Sequence, residues 1–389
     1  MEEKIGVLKI FSYICTHNLT NHTTQMKKHC IVLCLWAIAL QAVAANIDYT
    51  RRLTDGVSYT GRTLQQADGS VSYDWVGVYV QTEFTGGTIA VEMADTKVSY
   101  HNVFIDDQWV DKIRVDSTGR QRIVLAKNLD KRPHRLRLQR ACEGGGRTTV
   151  YGFYVPRGGT LAAVAPRERM IEVYGDSYTC GYGSDSPDHK EHFKIESENV
   201  DHAYACIIAR YFGADYAIQA HSGQGMVRNF NDKKQRSDYT MLNRHTQVFD
   251  NEREPAYTFD RYQPSLIMIN LGTNDFSREV QPRPNQYTDN YMKMIRSLRS
   301  HYGNEVPTLC ILPHSASKYL QVSFEELRKC CYADKQVYFA EPMLEILRDQ
   351  RDFGADGHPN YQGHRKIAMK LIPQISRIMN WDMEDKVVK

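Results

Sequence analysis

The chain has no Cys-x-x-Cys pair, no cysteine and histidine grouped at metal-ligand spacing, no long basic run, and no apolar stretch of the roughly 20 residues a spanning helix needs. Each absence narrows the function. Without a ligand pattern in sequence, no metal site is expected. Net charge is only +3, and without a clustered basic stretch the electrostatic footprint of a nucleic-acid partner is missing. Internal repeats and low-complexity segments are missing too, which sets aside solenoid and disordered architectures. What remains is 389 residues, 42% hydrophobic and 24% charged, enough for one large or two medium domains with real cores.

The one prominent apolar segment, residues 31–45, is too short to span a bilayer. It follows Met26-Lys27-Lys28-His29 and ends in Ala42-Val43-Ala44-Ala45. A basic start, a short apolar centre and a small-x-small end form a secretory signal peptide over residues 26–45, with cleavage expected after Ala44 or Ala45. Translation is then expected to begin at Met26, with residues 1–25 an upstream extension of the reading frame. The expected location is secreted or periplasmic, with no membrane association after cleavage. Cys142, Cys180, Cys206, Cys310, Cys330 and Cys331 are left in the mature chain, where an oxidising compartment would permit pairing. Cys206 and Cys310 lie in apolar runs and read as buried thiols.

Two patterns divide the rest. Between residues 46 and 160, short alternating segments (76–80, 89–93, 101–105, 122–125, 134–138 and 150–155) are separated by turns such as Gly86-Gly87 and Asp106-Asp107. Period-two alternation with frequent turns predicts an antiparallel β-sandwich of jelly-roll-like type. Residues 157–166 read as a linker. From residue 166 to 389, continuous apolar strands alternate with amphipathic helices expected at 201–211, 286–301, 323–333 and 361–380. That is βαβ organisation: an α/β/α domain with a parallel sheet covered on both faces.

The chemistry concentrates where these strands end. Residues 173–183 read V-Y-G-D-S-Y-T-C-G-Y-G, a strand running into a glycine-rich turn that lifts Ser177 off the sheet. A second strand, 215–220, delivers His221-Ser222-Gly223-Gln224-Gly225, and a third, 266–271, delivers Gly272-Thr273-Asn274-Asp275. Near the C-terminus stands Gly354-Ala355-Asp356-Gly357-His358-Pro359-Asn360. Open parallel sheets bind ligands at the carboxyl ends of their strands. Ser, Gly, Asn and His in this order resemble the four blocks of the SGNH (GDSL-type) hydrolases.

Acyl transfer needs a nucleophile, a base and donors for developing charge. Ser177 is the candidate nucleophile. His358, in a glycine-rich loop with Pro359 after it, is the candidate base among 14 histidines. The candidate oxyanion hole combines the backbone N–H groups of Ser177 and Gly223 with the side-chain amide of Asn274; Gly225 is the alternative to Gly223. In many SGNH enzymes the third triad member lies three residues before the histidine. Here Ala355 occupies that position and Asp356 lies two before, so Asp356 is the first choice, a main-chain carbonyl the alternative and Asp352 a distant third.

A β-sandwich directly before such a domain resembles carbohydrate esterase family two. The resemblance runs from about Tyr59 to Trp381 and includes Ser72-Tyr73-Asp74-Trp75, Phe84-Thr85-Gly86-Gly87-Thr88 and Ser222-Gly223-Gln224-Gly225-Met226-Val227-Arg228-Asn229. It implies an exported, cofactor-free esterase that removes acetyl groups from plant polysaccharides such as xylan or mannan through a Ser–His pair. In that family an Asp supports the pair in some members and a main-chain carbonyl in others. The expected partner is an acetylated polysaccharide or oligosaccharide. One rival is an esterase for another acylated substrate, which the polar loop 184–200 disfavours. The other is a carbohydrate-binding protein with vestigial catalysis, against which the intact Ser, Gly, Asn and His speak.

Overall fold

Antiparallel strands come first. In the computed structural model, which describes residues 53–389, they form two sheets. The first orders β1 (Ser58–Thr60), β4 (Tyr79–Phe84), β9 (His134–Arg140), β6 (Ser99–Ile105) and β7 (Gln108–Val115), with β11 (Leu161–Ala162) also pairing β4. The second orders β2 (Leu64–Gln65), β3 (Val71–Tyr73), β10 (Thr148–Tyr154), β5 (Ile89–Asp95) and β8 (Gln121–Ala126). Val80, Phe84 and Leu136 of one sheet share a buried cluster with Val91, Met93 and Phe153 of the other. The expected signal peptide and upstream extension lie outside the described residues.

After residue 166 the strands become parallel. The sheet order is β13 (Asp215–Ala220), β12 (Met170–Gly175), β14 (Leu266–Asn270), β15 (Thr308–Cys310) and β16 (Val337–Phe339), every pair parallel. β12, β13 and β14 are buried at every position, as continuous apolar strands covered on both faces must be. Along β14, Ile267 and Ile269 face one cluster with α4 (Pro284–Tyr302) and α5 (Lys318–Cys330). Leu266 and Met268 face the other, with α2 (Tyr204–Phe212) and α6 (Tyr361–Met379). The short helices α1 (Ser177–Cys180) and α3 (Met241–Arg244) complete the set.

The sandwich and the α/β/α layers share both clusters. Tyr73 and Trp75 belong to the first cluster, Val76 and Tyr79 to the second. Polar contacts reinforce the join. Arg62, fully buried, donates to the carbonyls of His245 (2.7 Å) and Gln247 (2.8 Å) and pairs with buried Glu172 at 3.3 Å. The Tyr79 hydroxyl donates to Asp215 at 2.7 Å. Among the described residues all six cysteines are free thiols, with Cys206 and Cys310 buried, and no helix is long and apolar enough to cross a membrane.

Candidate active site

The chain leaves β12, crosses to β13 on one side, then returns to β14 on the other. That reversal opens a crevice at the carboxyl end of β12, the place where open α/β sheets bind ligands. Ser177 sits there, first residue of α1. Asp176 caps the helix, its carboxylate accepting from Tyr178 N–H at 3.2 Å. Gly181 closes it in the left-handed conformation (φ 79°), with its N–H turned back to the Ser177 carbonyl. The four-residue helix holds Ser177 rigidly with its hydroxyl toward the crevice.

His358 arrives from the far end of the chain. Its Nε2 lies 3.0 Å from Ser177 Oγ, hydrogen-bond distance across 181 residues of sequence. The ring is boxed by aromatics: Tyr182 stands 4.2 Å away between ring centroids and Tyr178 5.3 Å. Burial holds the imidazole below its ordinary pKa, while the main-chain carbonyls of Asp356 and Ala355 and the Asp356 charge oppose the shift. The histidine is thus a neutral base at neutral pH, able to take the serine proton.

The Asp356 carboxylate goes elsewhere, which corrects its expected contact with His358. Asp356 adopts a left-handed backbone (φ 51°), and its carboxylate accepts from Tyr182 Oη (2.9 Å) and Phe193 N–H (3.0 Å) and meets His192 Nδ1 (2.9 Å). His358 Nδ1 is buried and makes no hydrogen bond. The main-chain carbonyls of Asp356 and Ala355, the kind of group weighed as the alternative from the sequence, act on the ring by favouring its protonated form. Asp356 instead pins the 192–193 segment, whose Phe193 stacks on Tyr182 at 4.0 Å. The aspartate therefore supports the ring stack over His358 rather than the imidazole nitrogen. Asp352, the third choice, pairs with Lys366 at 2.6 Å.

The three expected oxyanion donors lie just after the carboxyl ends of β12, β13 and β14, neighbouring strands of the sheet. Among the described residues, the N–H groups of Ser177 and Gly223 donate to no protein acceptor. Gly223 has φ 78°, a conformation glycine reaches without strain. Gly225 drops out as an alternative, since its N–H is spent on Asn229 Oδ1 at 3.1 Å. The Asn274 amide donates to the Gln224 carbonyl (2.8 Å) and to Asp176 Oδ2 (3.2 Å). Both bonds come from the one amide nitrogen, so an oxyanion there has to share or displace one of them.

Several residues that the sequence assigned no role also shape the site. Asp275, fully buried, accepts from three successive N–H groups, Met226 (2.9 Å), Val227 (2.6 Å) and Arg228 (2.9 Å), and so fixes the loop after Gly225. Burial pushes its carboxyl up to about 6, against the pull of those N–H groups. Burial likewise pushes Asp176 up to about 7, with Asp275 and Glu143 adding to the rise. His221 Nδ1 meets Asp250 at 2.6 Å. Burial alone would lower this imidazole, but Asp250 and Glu143 outweigh it and hold it at about 9.

The fold also gathers Glu143, Cys180 and Glu198, whose ligand atoms lie within 4.8 Å of one another, a grouping that sequence spacing did not reveal. Burial pushes both the Cys180 thiol and the Glu198 carboxyl well above their usual ranges. Each would have to give up a proton that its surroundings make it keep before binding a cation, so the trio fits a metal poorly.

Comparison with known proteins agrees with this architecture. Residues 59–165 match the family model described as carbohydrate esterase 2 N-terminal, and residues 173–366 match the GDSL-like lipase/acylhydrolase family. An acetylxylan esterase/glucomannan deacetylase of Cellvibrio japonicus is 29% identical over 292 residues, covering 71% of this chain and 79% of that protein. The cellulase/esterase CelE of Acetivibrio thermocellus is 27% identical over 338 residues; the match takes in 84% of this chain but only 40% of that longer protein. A family two carbohydrate esterase from Clostridium thermocellum, solved in complex with cellohexaose, superposes with a TM-score of 0.78 at 27% identity, covering 84% of this chain and all (100%) of that one.

Proposed function

The chain belongs to carbohydrate esterase family two, with a GDSL-type carboxylic ester hydrolase domain, and from that premise we propose that it is a secreted serine esterase removing O-acetyl groups from plant cell-wall polysaccharide, xylan or mannan. The observation that carries the reading is the 3.0 Å contact between His358 Nε2 and Ser177 Oγ at the end of the central strand. Its catalytic unit is a Ser177–His358 dyad, with main-chain carbonyls in place of the third residue.

The reaction runs in two halves. Ser177 Oγ attacks the acetyl carbonyl while His358 Nε2 takes its proton. The negative oxygen of the tetrahedral intermediate settles on the N–H groups of Ser177 and Gly223 and the Asn274 amide. The intermediate collapses, the proton on His358 passes to the departing sugar hydroxyl, and acetyl stays on Ser177 as an ester. Water enters, His358 takes its proton, and the reverse sequence releases acetate and restores the serine. No step calls for a cofactor. The fixed donors need no reorganisation when charge appears, which is where such sites gain most of their rate.

Two features support a hydrophilic acyl acceptor. The 184–200 loop beside the site is polar, and of the relatives named above one is an acetylxylan esterase/glucomannan deacetylase and another is an esterase solved in complex with cellohexaose. Acetate release from acetylated xylan, glucomannan and pectin, set beside acetyl and long-chain nitrophenyl esters, tests the reading. Release from xylan or glucomannan that disappears in Ser177→Ala is expected. Preference for long acyl chains, or glycan binding with no acetate released, would point to the rival readings.

A further inference from the structure

The oxyanion loop is tied to a residue outside the α/β/α layers. Glu143 lies in the loop between β9 and β10, where the chain passes from one sandwich sheet to the other. Its Oε2 accepts the N–H of Ser222 at 2.7 Å, one residue before Gly223. The same oxygen accepts the Cys180 thiol at 3.6 Å, three residues after Ser177, and lies 3.7 Å from His221 Nδ1. One carboxylate oxygen therefore touches both the helix that carries Ser177 and the loop that carries Gly223.

The glutamate is itself held firmly. Arg140, fully buried, gathers the loop's carbonyls: Cys142 (3.0 Å), Glu143 (2.8 Å) and Gly146 (2.8 Å), while pairing with Asp95 at 3.1 Å. A second strap runs in parallel. Asp74 of the sandwich accepts the N–H groups of Asp250 (2.6 Å) and Asn251 (3.1 Å), and Asp250 grips His221. A Gly223 amide can stabilise an oxyanion only if the peptide preceding it is locked in orientation; the Ser222 N–H bond to Glu143 is the shorter of two contacts on that peptide, the other being Gln224 N–H to the His221 carbonyl at 3.2 Å.

We propose that Glu143 is a positioning residue for the oxyanion hole, so that the β-sandwich completes the catalytic site rather than only flanking it. Glu143 acts through Ser222 and Gly223 and touches no substrate atom. The proposal rests on the esterase reading above. Loss of Glu143 weakens stabilisation of the tetrahedral species and leaves ground-state binding of the ester nearly unchanged.

The test compares wild type, Glu143→Leu and Glu143→Gln with p-nitrophenyl acetate, and measures inhibition by phenylboronic acid, which forms a tetrahedral adduct on an activated serine. Glu143→Leu is expected to lower kcat by about 10- to 100-fold with little change in KM, and to weaken phenylboronic acid in step. Glu143→Gln keeps an oxygen acceptor without the charge, and should recover most of that loss, remaining about 3- to 10-fold below wild type. The proposal is overturned if Glu143→Leu keeps wild-type kcat, if the loss lies in KM alone, or if Gln restores nothing. Should the Leu variant not fold, the Gln variant decides alone: wild-type kcat and boronate affinity would refute the role. A wild-type protein that neither cleaves the ester nor binds the boronate would instead remove the esterase reading underneath.

Discussion

At the scale of single residues, Ser177, His358 and Asp356 have unequal roles. Ser177→Ala and His358→Ala should each lower acetate release at least about 1,000-fold, because nucleophile and base act as a unit. Asp356→Ala should cost about 10-fold or less, because it loosens the Tyr182–Phe193 stack but takes no hydrogen bond from the imidazole. Steady-state kinetics on the three variants checks this; equal losses would restore Asp356 as a triad acid. The pH profile gives a second handle. His358 must be neutral to accept a proton, and burial lowers its pKa from 6.5. The acidic limb of kcat/KM should therefore fall below pH 6.5, and a midpoint above 7 would contradict the buried, carbonyl-supported base. That Ser177 and His358 meet was legible in the sequence because each sits in a short glycine-containing motif. The direction of the Asp356 side chain was not, since the left-handed backbone that turns it away is set by tertiary packing. Nor was Glu143, whose partner lies 79 residues distant.

At the scale of elements, the loop between β13 and α3 is fixed by charge as much as by packing. His221 is held as an imidazolium at about 9 against the ordinary 6.5, chiefly because Asp250 and Glu143 outweigh its burial. A raised histidine contributes stability that is complete below about pH 6.5 and disappears as pH climbs through about 9. Thermal melts across that interval should show wild type losing stability and His221→Gln showing a flatter dependence; identical slopes would mean that the ion pair contributes nothing. The strands β5, β6, β8, β9, β10, β12, β13 and β14 were legible from alternation or continuous apolar runs, whereas the segment expected at 76–80 meets β4 only at Tyr79 and Val80 because 76–77 form a turn. β1, β2 and β3 are two or three residues long, too short to show a period, and most of β7 faces solvent, so neither left a pattern. Helix α5 starts at Lys318, five residues before the expected 323, because Ser317 caps it through Leu320 N–H.

At the scale of the whole molecule, sandwich and α/β/α layers form one compact unit across the described residues, 53–389. The change of pattern after residue 166 was legible in the sequence. The shared core was not, because it depends on which faces meet. Arg62 is the sharpest probe: it reaches from the sandwich to Glu172 on β12, both fully buried. Removing the guanidinium in Arg62→Leu leaves that carboxylate unpaired, a cost of about 3–5 kcal/mol. Denaturant unfolding should show that loss in a single transition. Two separate transitions, or no change in midpoint, would mean that the layers fold independently.

The proposed mechanism passes through an acetyl ester on Ser177, which rapid-quench mass spectrometry during turnover of p-nitrophenyl acetate would detect. The peptide spanning residues 170–180 should gain one acetyl group on Ser177 in wild type, and none in Ser177→Ala. Steady acetate release with that peptide unmodified throughout, and undiminished by Ser177→Ala, would contradict the account.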